Sequence, residues 1–134
     1  MVAYVDTSAL LKRYIREDDS DLANDLLAAD PVLACSWLLA VELRRNVSRL
    51  VDTSARPSVR RQIDRDLDSF ALIDLDGPVA ALAAEITDAY GVRSLDAVHL
   101  ASARRLQIDD LLFITFDLRQ AEAARRLGLR VRGC

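Results

Sequence analysis

Residues 4–11 read YVDTSALL, and in this stretch an apolar strand pattern runs directly into a helical pattern. The strand pattern covers Val2 to Val5, and Asp6 is the first charged residue after it. Asp6 or Thr7 could cap the helix, because the first N–H groups of a helix lack intrahelical partners. Alternatively, Asp6 could be one of several carboxylates that converge on a metal ion.

Short apolar strands and amphipathic helices alternate along the whole chain. The predicted strands are Val2–Val5, Val32–Cys35, Leu72–Leu75, Leu111–Phe116 and Arg130–Arg132. The predicted helices are Thr7 to about Arg16, Asp21–Ala29, Trp37–Leu50, a segment from Pro57 to Phe70, Val79–Tyr90, Leu95 to about Leu106, and Leu118–Leu127. Apolar strands separated by helices indicate a parallel sheet covered on both faces, which is an α/β fold.

Several smaller expectations follow from the same pattern. Ser36 and Ser94 are placed as helix N-caps, and Trp37 is expected in the core. Residues 1–134 contain no repeat or linker and are predicted to form a single domain, which their length suits.

The composition indicates a soluble cytoplasmic protein. Half of the residues are hydrophobic, so one core can form without disulfides, and Cys35 and Cys134 show no metal-binding spacing. The longest uncharged stretch, Pro31 to Val41, is shorter than the roughly 18 to 20 residues needed to cross a bilayer. We therefore expect no membrane association.

The charge distribution permits nucleic-acid binding without demonstrating it. The formal net charge of −3 argues against a general nucleic-acid binder. All but Lys12 of the 18 basic residues are arginine, which suits bidentate contact with phosphate. They cluster in three places, at residues 12–16, 44–49 and 60–65. A biased coding composition would give the same excess of arginine.

Two acids follow predicted strands. Asp6 ends the first strand, and Asp117 follows the strand LLFITF, with Thr115 two residues before it. Because functional groups of open parallel sheets gather beyond the carboxyl ends of the strands, we expect Asp6 and Asp117 at the same edge. Asp117 could also be only a helix cap.

Two further acids lie on helices beside apolar residues. Glu42 borders the buried face of its helix, where a charge is costly unless it is paired or coordinated; Arg45 or another arginine could pair with it. Asp96 lies in the first turn of the helix SLDAVHLASARRL, where the helix dipole favours an acid. His99, the only histidine, reads as a packed, hydrogen-bonded structural residue.

These motifs occur in one order: strand–Asp-Thr-Ser, a glutamate at the border of a buried face, Leu-Asp-Ala-x-His-Leu-Ala at a helix start, and Thr-x-Asp after a strand. The arrangement resembles the PIN-domain ribonucleases, and most closely the VapC-type toxins of toxin–antitoxin pairs. The resemblance covers essentially the whole chain. It implies a PIN-like three-layer α/β/α fold with a short-stranded, mainly parallel central sheet.

The resemblance also implies a metal site. Asp6, Glu42, Asp96 and Asp117 would bind the ion, Thr115 would help order the site as the fifth catalytic residue, and Ser8 is a weaker supporting candidate. Two unit charges about 4 Å apart repel by roughly 4 kcal/mol at an effective dielectric constant of 20, so four clustered carboxylates need cations or protons. Oxygen ligands favour Mg²⁺ or Mn²⁺ over Zn²⁺. Such an ion could lower the pKa of a water molecule for attack on a phosphodiester.

The implied function is that of a metal-dependent endoribonuclease acting as the toxin of a type II toxin–antitoxin system. The implied partners are RNA, a VapB-like antitoxin, and a second copy of the chain, as a homodimer or as a heterotetramer or octamer with the antitoxin. An arginine of the antitoxin could enter the acidic site, and the helices Thr7–Arg16 and Trp37–Leu50 are candidate contact surfaces. The alternatives are a PIN-type RNA-processing nuclease without an antitoxin and a catalytically silent PIN-like binding domain.

Overall fold

A computed structural model describes all 134 residues of the chain. Its centre is a sheet of five parallel strands in the order β3-β2-β1-β4-β5. The strands are β1 (Val2–Val5), β2 (Val32–Ser36), β3 (Ala71–Ile73), β4 (Leu112–Thr115) and β5 (Arg130–Gly133). The predicted α/β/α fold with a parallel sheet is therefore confirmed.

Seven helices connect and cover these strands. They are α1 (Thr7–Tyr14), α2 (Ser20–Ala29), α3 (Trp37–Leu50), α4 (Arg56–Asp68), α5 (Gly77–Tyr90), α6 (Ser94–Arg105) and α7 (Leu118–Arg126). None of the helices combines the length and the apolar character that crossing a membrane requires.

Each face of the sheet has its own apolar core. Alternate residues of a strand point to opposite faces, so Ala3 and Val5 of β1 pack with helices α1 to α4, whereas Tyr4 packs with α5 to α7. Leu39 and Leu43 of α3 are fully buried in the first core. Both faces of the strands are therefore apolar, as the continuous hydrophobic strand sequences predict.

The strand order places a topological switch beside β1. The chain runs outward from β1 through β2 to β3 on one side, and then crosses back to add β4 and β5 on the other side of β1. A crevice is therefore expected beyond the carboxyl ends of β1 and β4. Ligands of open α/β sheets bind at such a point. Asp6 follows β1 and Asp117 follows β4, and both lie at this switch point.

Three local predictions were wrong. Ser94 is already the first residue of α6, and Arg93, which makes no side-chain capping bond, occupies the N-cap. Trp37 is 49% exposed rather than buried, because it lies two residues before Leu39 and therefore on the opposite side of α3 from the buried face. Strand β3 is Ala71–Ile73 rather than Leu72–Leu75, since this segment pairs with β2 from Ala71 onward.

Two capping predictions are confirmed. The Ser36 hydroxyl accepts a hydrogen bond from the backbone N–H of Leu38 at the start of α3. The Asp6 carboxylate accepts one from the N–H of Ala9, so Asp6, and not Thr7, caps α1. The acid in YVDTSALL is therefore a helix cap, as the sequence allowed, but the capping bond is only one of several contacts that Asp6 makes.

Candidate active site

Asp6 directly follows β1 at the carboxyl edge of the sheet and is 4% exposed. The Ser8 hydroxyl donates to its Oδ1 at 2.6 Å, and the Thr115 hydroxyl donates to its Oδ2 at 2.6 Å. The backbone N–H of Ala9 adds a longer bond of 3.3 Å to Oδ1. Both carboxylate oxygens are thus oriented by hydroxyl groups from two different parts of the chain.

Burial raises the pKa of Asp6 above its ordinary value of 3.8, against the opposing effect of the bonds from Ser8 and Thr115. Asp6 forms no salt bridge with a basic side chain. Its negative charge is therefore incompletely compensated in the protein itself. A carboxylate of this kind gains stability when a cation binds beside it.

Thr115 connects Asp6 to Asp117. The Thr115 side chain is fully buried, and while its hydroxyl donates to Asp6, it accepts a bond of 3.1 Å from the backbone N–H of Asp117. The Asp117 carboxylate caps α7 by accepting bonds from the N–H groups of Arg119 and Gln120. The structure therefore brings Asp6, Thr115 and Asp117 together at the predicted edge.

Replacing Thr115 with valine should destabilise the protein by about 1–3 kcal/mol, because the change keeps the shape but leaves buried polar partners unpaired. Those partners are Asp6 Oδ2 and the backbone N–H of Asp117. Thr115→Ser keeps the hydroxyl and is the matched control. Urea denaturation of the three proteins measures the difference, and equal stability of the valine and serine variants would contradict the role given to the hydroxyl.

Glu42 reaches the crevice from α3 and does not pair with Arg45 or any other arginine. Its Oε1 accepts bonds of 2.6 Å from the Thr7 hydroxyl and 2.6 Å from Nε2 of His99. Burial raises the pKa of Glu42, but these bonds from His99 and Thr7 outweigh it, and the net pKa lies below the usual 4.5. Glu42 is therefore held in its ionised form. Its partner Thr7 follows Asp6 directly in the chain, so this bond connects Glu42 to the segment that carries Asp6.

His99 links Glu42 to the buried core. An ionised carboxylate has no proton to donate, so Nε2 of His99 carries the proton that bonds Glu42, and in the neutral imidazole Nδ1 is then the acceptor. Nδ1 lies 2.9 Å from the Tyr4 hydroxyl, which in turn accepts from the backbone N–H of Ser36. Burial raises the pKa of Tyr4 well above its ordinary value, so its hydroxyl remains protonated and can donate.

The histidine prediction was correct in part: His99 is buried and hydrogen-bonded. Its bond to Glu42 was not expected, nor was the contact of Thr7 with Glu42. The only sequence signal for a role of His99 at the site was its position three residues after Asp96, within one turn of the same helix. Neither partner is close to Glu42 in sequence.

Asp96 lies in the first turn of α6, half-buried, with its Oδ2 3.2 Å from Nε of Arg93. Asp96 and Glu42 line one pocket of about 290 Å³ together with Arg93, Ser94 and Leu95. The backbone carbonyl of Asp96 accepts a bond from the side chain of Gln120, whose own N–H donates to Asp117. Asp96 is thus connected to Glu42 through a shared pocket and to Asp117 through Gln120.

The donor set suits a hard divalent cation, since all four candidate ligands offer carboxylate oxygens. No group of three or more His, Cys, Asp or Glu side chains converges closely enough, as placed, to hold a metal ion. Mg²⁺ commonly keeps several waters and uses only one or two carboxylates directly. The four-carboxylate metal site stays a prediction, and Asp6 is the ligand best prepared for it.

Comparison with known proteins identifies the family of this chain. The family model named PIN domain matches residues 3–126. The chain belongs to the PIN-domain family. Among curated PIN-domain relatives, Ribonuclease VapC46 of Mycobacterium tuberculosis is 34% identical over 128 residues, covering 96% of this chain and 94% of the relative. Ribonuclease VapC47 of the same species is 35% identical over 129 residues, covering 93% and 91%.

Several solved structures share the fold at lower identity. FitAcB from Neisseria gonorrhoeae superposes with a TM-score of 0.74 at 21% identity, over 98% of this chain and 96% of that one. Mycobacterium tuberculosis VapC20, a toxin that cleaves the sarcin–ricin loop, gives a TM-score of 0.74 at 19% identity, over 90% and 94%. The resemblance to PIN-domain proteins of the VapC type is confirmed.

Proposed function

We propose that this chain is an endoribonuclease that hydrolyses RNA phosphodiester bonds with Mg²⁺ or Mn²⁺, and that it is the toxin of a type II toxin–antitoxin pair. The observation that supports this best is the buried Asp6 carboxylate, oriented by Ser8 and Thr115 at the switch point of the sheet. The similarity of the chain, over nearly its full length, to proteins named Ribonuclease VapC adds independent support. The cytoplasmic location expected from the sequence belongs to this proposal.

In this proposal Asp6, Asp96, Asp117 and Glu42 hold the divalent ion, which supplies activation of water and neutralisation of phosphate charge. Ser8 and Thr115 fix the orientation of Asp6 through their hydroxyl groups. His99 and Thr7 keep Glu42 ionised and directed into the crevice. The chain therefore contributes orientation and negative charge to the reaction.

Cleavage of single-stranded RNA by the purified protein tests this function. We expect cleavage with Mg²⁺ or Mn²⁺, its loss with EDTA, and recovery when the ion is returned in excess. Sequencing the new 5′ ends identifies the cleavage site, while Asp6→Asn protein from the same purification controls for contaminating ribonuclease. A failure to cleave total cellular RNA with either ion would contradict the proposal.

A small antitoxin is the partner that this function requires. Structural neighbours include a toxin–antitoxin complex from Klebsiella pneumoniae, with a TM-score of 0.69 at 19% identity over 88% of each chain. In the present chain, α3 exposes Trp37 and Val41, which are 49% and 67% exposed and offer apolar contact area beside the crevice. We place the antitoxin on α1 and α3, with a basic side chain entering the acidic site.

Co-expression with the product of the adjacent small gene tests this partner. We expect a stable complex that does not cleave RNA, and light scattering then distinguishes a homodimer from a heterotetramer or octamer. Cell growth distinguishes a toxin from an RNA-processing nuclease that needs no antitoxin. A toxin should arrest growth when expressed without the partner and allow normal growth when expressed with it. Absence of any complex would count against the toxin assignment.

A further inference from the structure

A second, smaller cleft of about 170 Å³ opens between α7 and the loop that joins α5 to α6. Its lining includes three arginines, two acids, a tyrosine and a buried glutamine. Asp96 lines both this cleft and the pocket that contains Glu42. A ligand in the cleft therefore lies directly beside the acidic site.

The cleft carries excess positive charge. Its arginines are Arg93, Arg119 and Arg126, and its acids are Asp96 and Glu122. Arg93 pairs with Asp96, whereas the guanidinium groups of Arg119 and Arg126 form neither a salt bridge nor a hydrogen bond with the protein. Such free guanidinium groups match the geometry of a phosphate.

Arg126 is held in place by an aromatic ring. Its guanidinium carbon lies 5.0 Å from the ring centroid of Tyr90, which is within the range of a cation–π contact. This contact orients the guanidinium without using its five N–H donors. Those donors remain available to an anionic ligand in the cleft.

Gln120 supplies a second, independent indication of a ligand. Its side chain is 1% exposed, and its Nε2 donates to the backbone carbonyl of Asp96, which identifies the other end of the amide as the oxygen. This Oε1 is buried and has no hydrogen-bond partner. Buried polar atoms in folded proteins nearly always have one, so the Oε1 requires a donor that the chain itself does not provide.

A ribonucleotide meets both requirements. Its phosphate accepts from guanidinium groups, and its ribose hydroxyl or its base amino group can donate to Gln120. The cleft has the volume of roughly six water molecules, too small for a duplex but sufficient for part of one unpaired nucleotide. We infer that the cleft is a subsite for one unpaired ribonucleotide of the substrate strand, next to the nucleotide that is cleaved; this rests on the proposed nuclease function.

In this subsite Arg119 and Arg126 bind the phosphate, and Oε1 of Gln120 accepts from the ribose or the base. The test measures the affinity of short single-stranded RNA at several salt concentrations, using Asp6→Asn protein so that no RNA is cleaved. Arg119→Ala and Arg126→Met are compared with Arg105→Ala. Arg105 is the last residue of α6, nine residues or about 13.5 Å along the helix from Asp96 in the cleft. Its replacement by alanine removes the same charge.

We expect about tenfold weaker binding for Arg119→Ala and for Arg126→Met, with the salt dependence of log K reduced by about 0.7 for each lost phosphate contact. Arg105→Ala should bind within about twofold of its parent, because its loss changes only the distant field. Thermal unfolding checks that each variant is folded. The Arg119 side chain is exposed and makes no bond with the protein, so Arg119→Ala still tests the subsite if Arg126→Met does not fold.

Changes to the RNA, rather than to the protein, identify which of its groups donates the hydrogen bond to Gln120. Single 2′-deoxy substitutions next to the cleavage site weaken binding if the ribose hydroxyl bonds Gln120. Replacing guanosine with inosine there weakens it if a base amino group does. RNA that tolerates both changes at every neighbouring position would overturn the role of Gln120.

The failure of this inference can be distinguished from failure of the nuclease function. If the wild type cleaves RNA but both cleft variants bind like Arg105→Ala, the subsite is wrong and the nuclease stands. If the cleft variants weaken RNA binding but the wild type cleaves no RNA, the subsite stands and the nuclease is wrong.

Discussion

Replacing Asp6 with asparagine should reduce RNA cleavage by more than about 100-fold, since loss of even the groups that support metal ligands costs 10- to 100-fold. Asparagine keeps the shape of the side chain and can still cap α1 through its oxygen, so the fold should persist. Initial rates of cleavage with saturating Mg²⁺ measure the effect.

Asp76→Asn is the matched control for this change. Asp76 also caps a helix after a strand, by accepting from the backbone N–H of Val79, but it is exposed and lies after the edge strand β3. This variant should cleave RNA at the wild-type rate. An Asp6→Asn protein that cleaves as fast as the Asp76→Asn protein would refute the assignment of Asp6.

The same substitution should change stability in a pH-dependent way. Burial raises the pKa of Asp6 in the folded state, so between pH 3.8 and that raised value the native protein binds more protons at this site than the unfolded chain. The unfolding free energy of the metal-free protein therefore falls as pH rises through this window. Asparagine does not titrate, so Asp6→Asn should be the more stable protein at pH 7.

Denaturation in EDTA at pH 4 and at pH 7 measures this difference. Adding Mg²⁺ at pH 7 should then raise the melting temperature of the wild type and not that of Asp6→Asn, because a ligand that binds only the native state stabilises it. A wild-type protein as stable as Asp6→Asn at pH 7 in EDTA would contradict the uncompensated charge at Asp6.

Replacing His99 with leucine should also have a large effect. The change leaves the Glu42 carboxylate without its strongest donor and the buried Tyr4 hydroxyl without an acceptor. We expect a loss of stability of about 1–3 kcal/mol, as for other unpaired buried polar groups. We also expect cleavage to fall 10- to 100-fold, as for residues that orient metal ligands.

Two variants separate the positioning of Glu42 from general stability. Tyr4→Phe removes the hydroxyl behind His99 and destabilises the core, but it leaves the His99–Glu42 bond intact and should keep most of the cleavage rate. His99→Gln retains a donor and should recover part of the activity lost in His99→Leu. If Tyr4→Phe and His99→Leu lose activity in proportion to stability alone, His99 has no positioning role.

The sequence was sufficient for those features that depend on neighbouring residues. Continuous apolar runs predict strands buried on both faces, and the transition from strand to helix at Asp6 predicts a cap at the carboxyl edge of the sheet. Asp6 and Asp117 share that edge because all parallel strands end on the same side.

Local patterns were insufficient where several side chains compete for one position. Ser94 is the better capping residue by type, yet Arg93 occupies the N-cap and contacts Asp96 instead. Trp37 is exposed although it is a large apolar side chain, because Leu39, Leu43 and Val47 define the buried face of α3 and Trp37 lies on the opposite side of the helix.

By itself, the sequence determined the α/β class, the parallel sheet, and the edge at which Asp6, Thr115 and Asp117 meet. Only the tertiary structure decided the partners of Glu42, because Thr7 and His99 are 35 and 57 residues away from it in the chain. It alone also showed that Gln120, whose Oε1 is buried without a partner, lines the same cleft as Arg119 and Arg126. Hydrogen bonds and charge pairs act over a few ångström in space, so contacts between distant segments exist only after the sheet has fixed the relative positions of its helices.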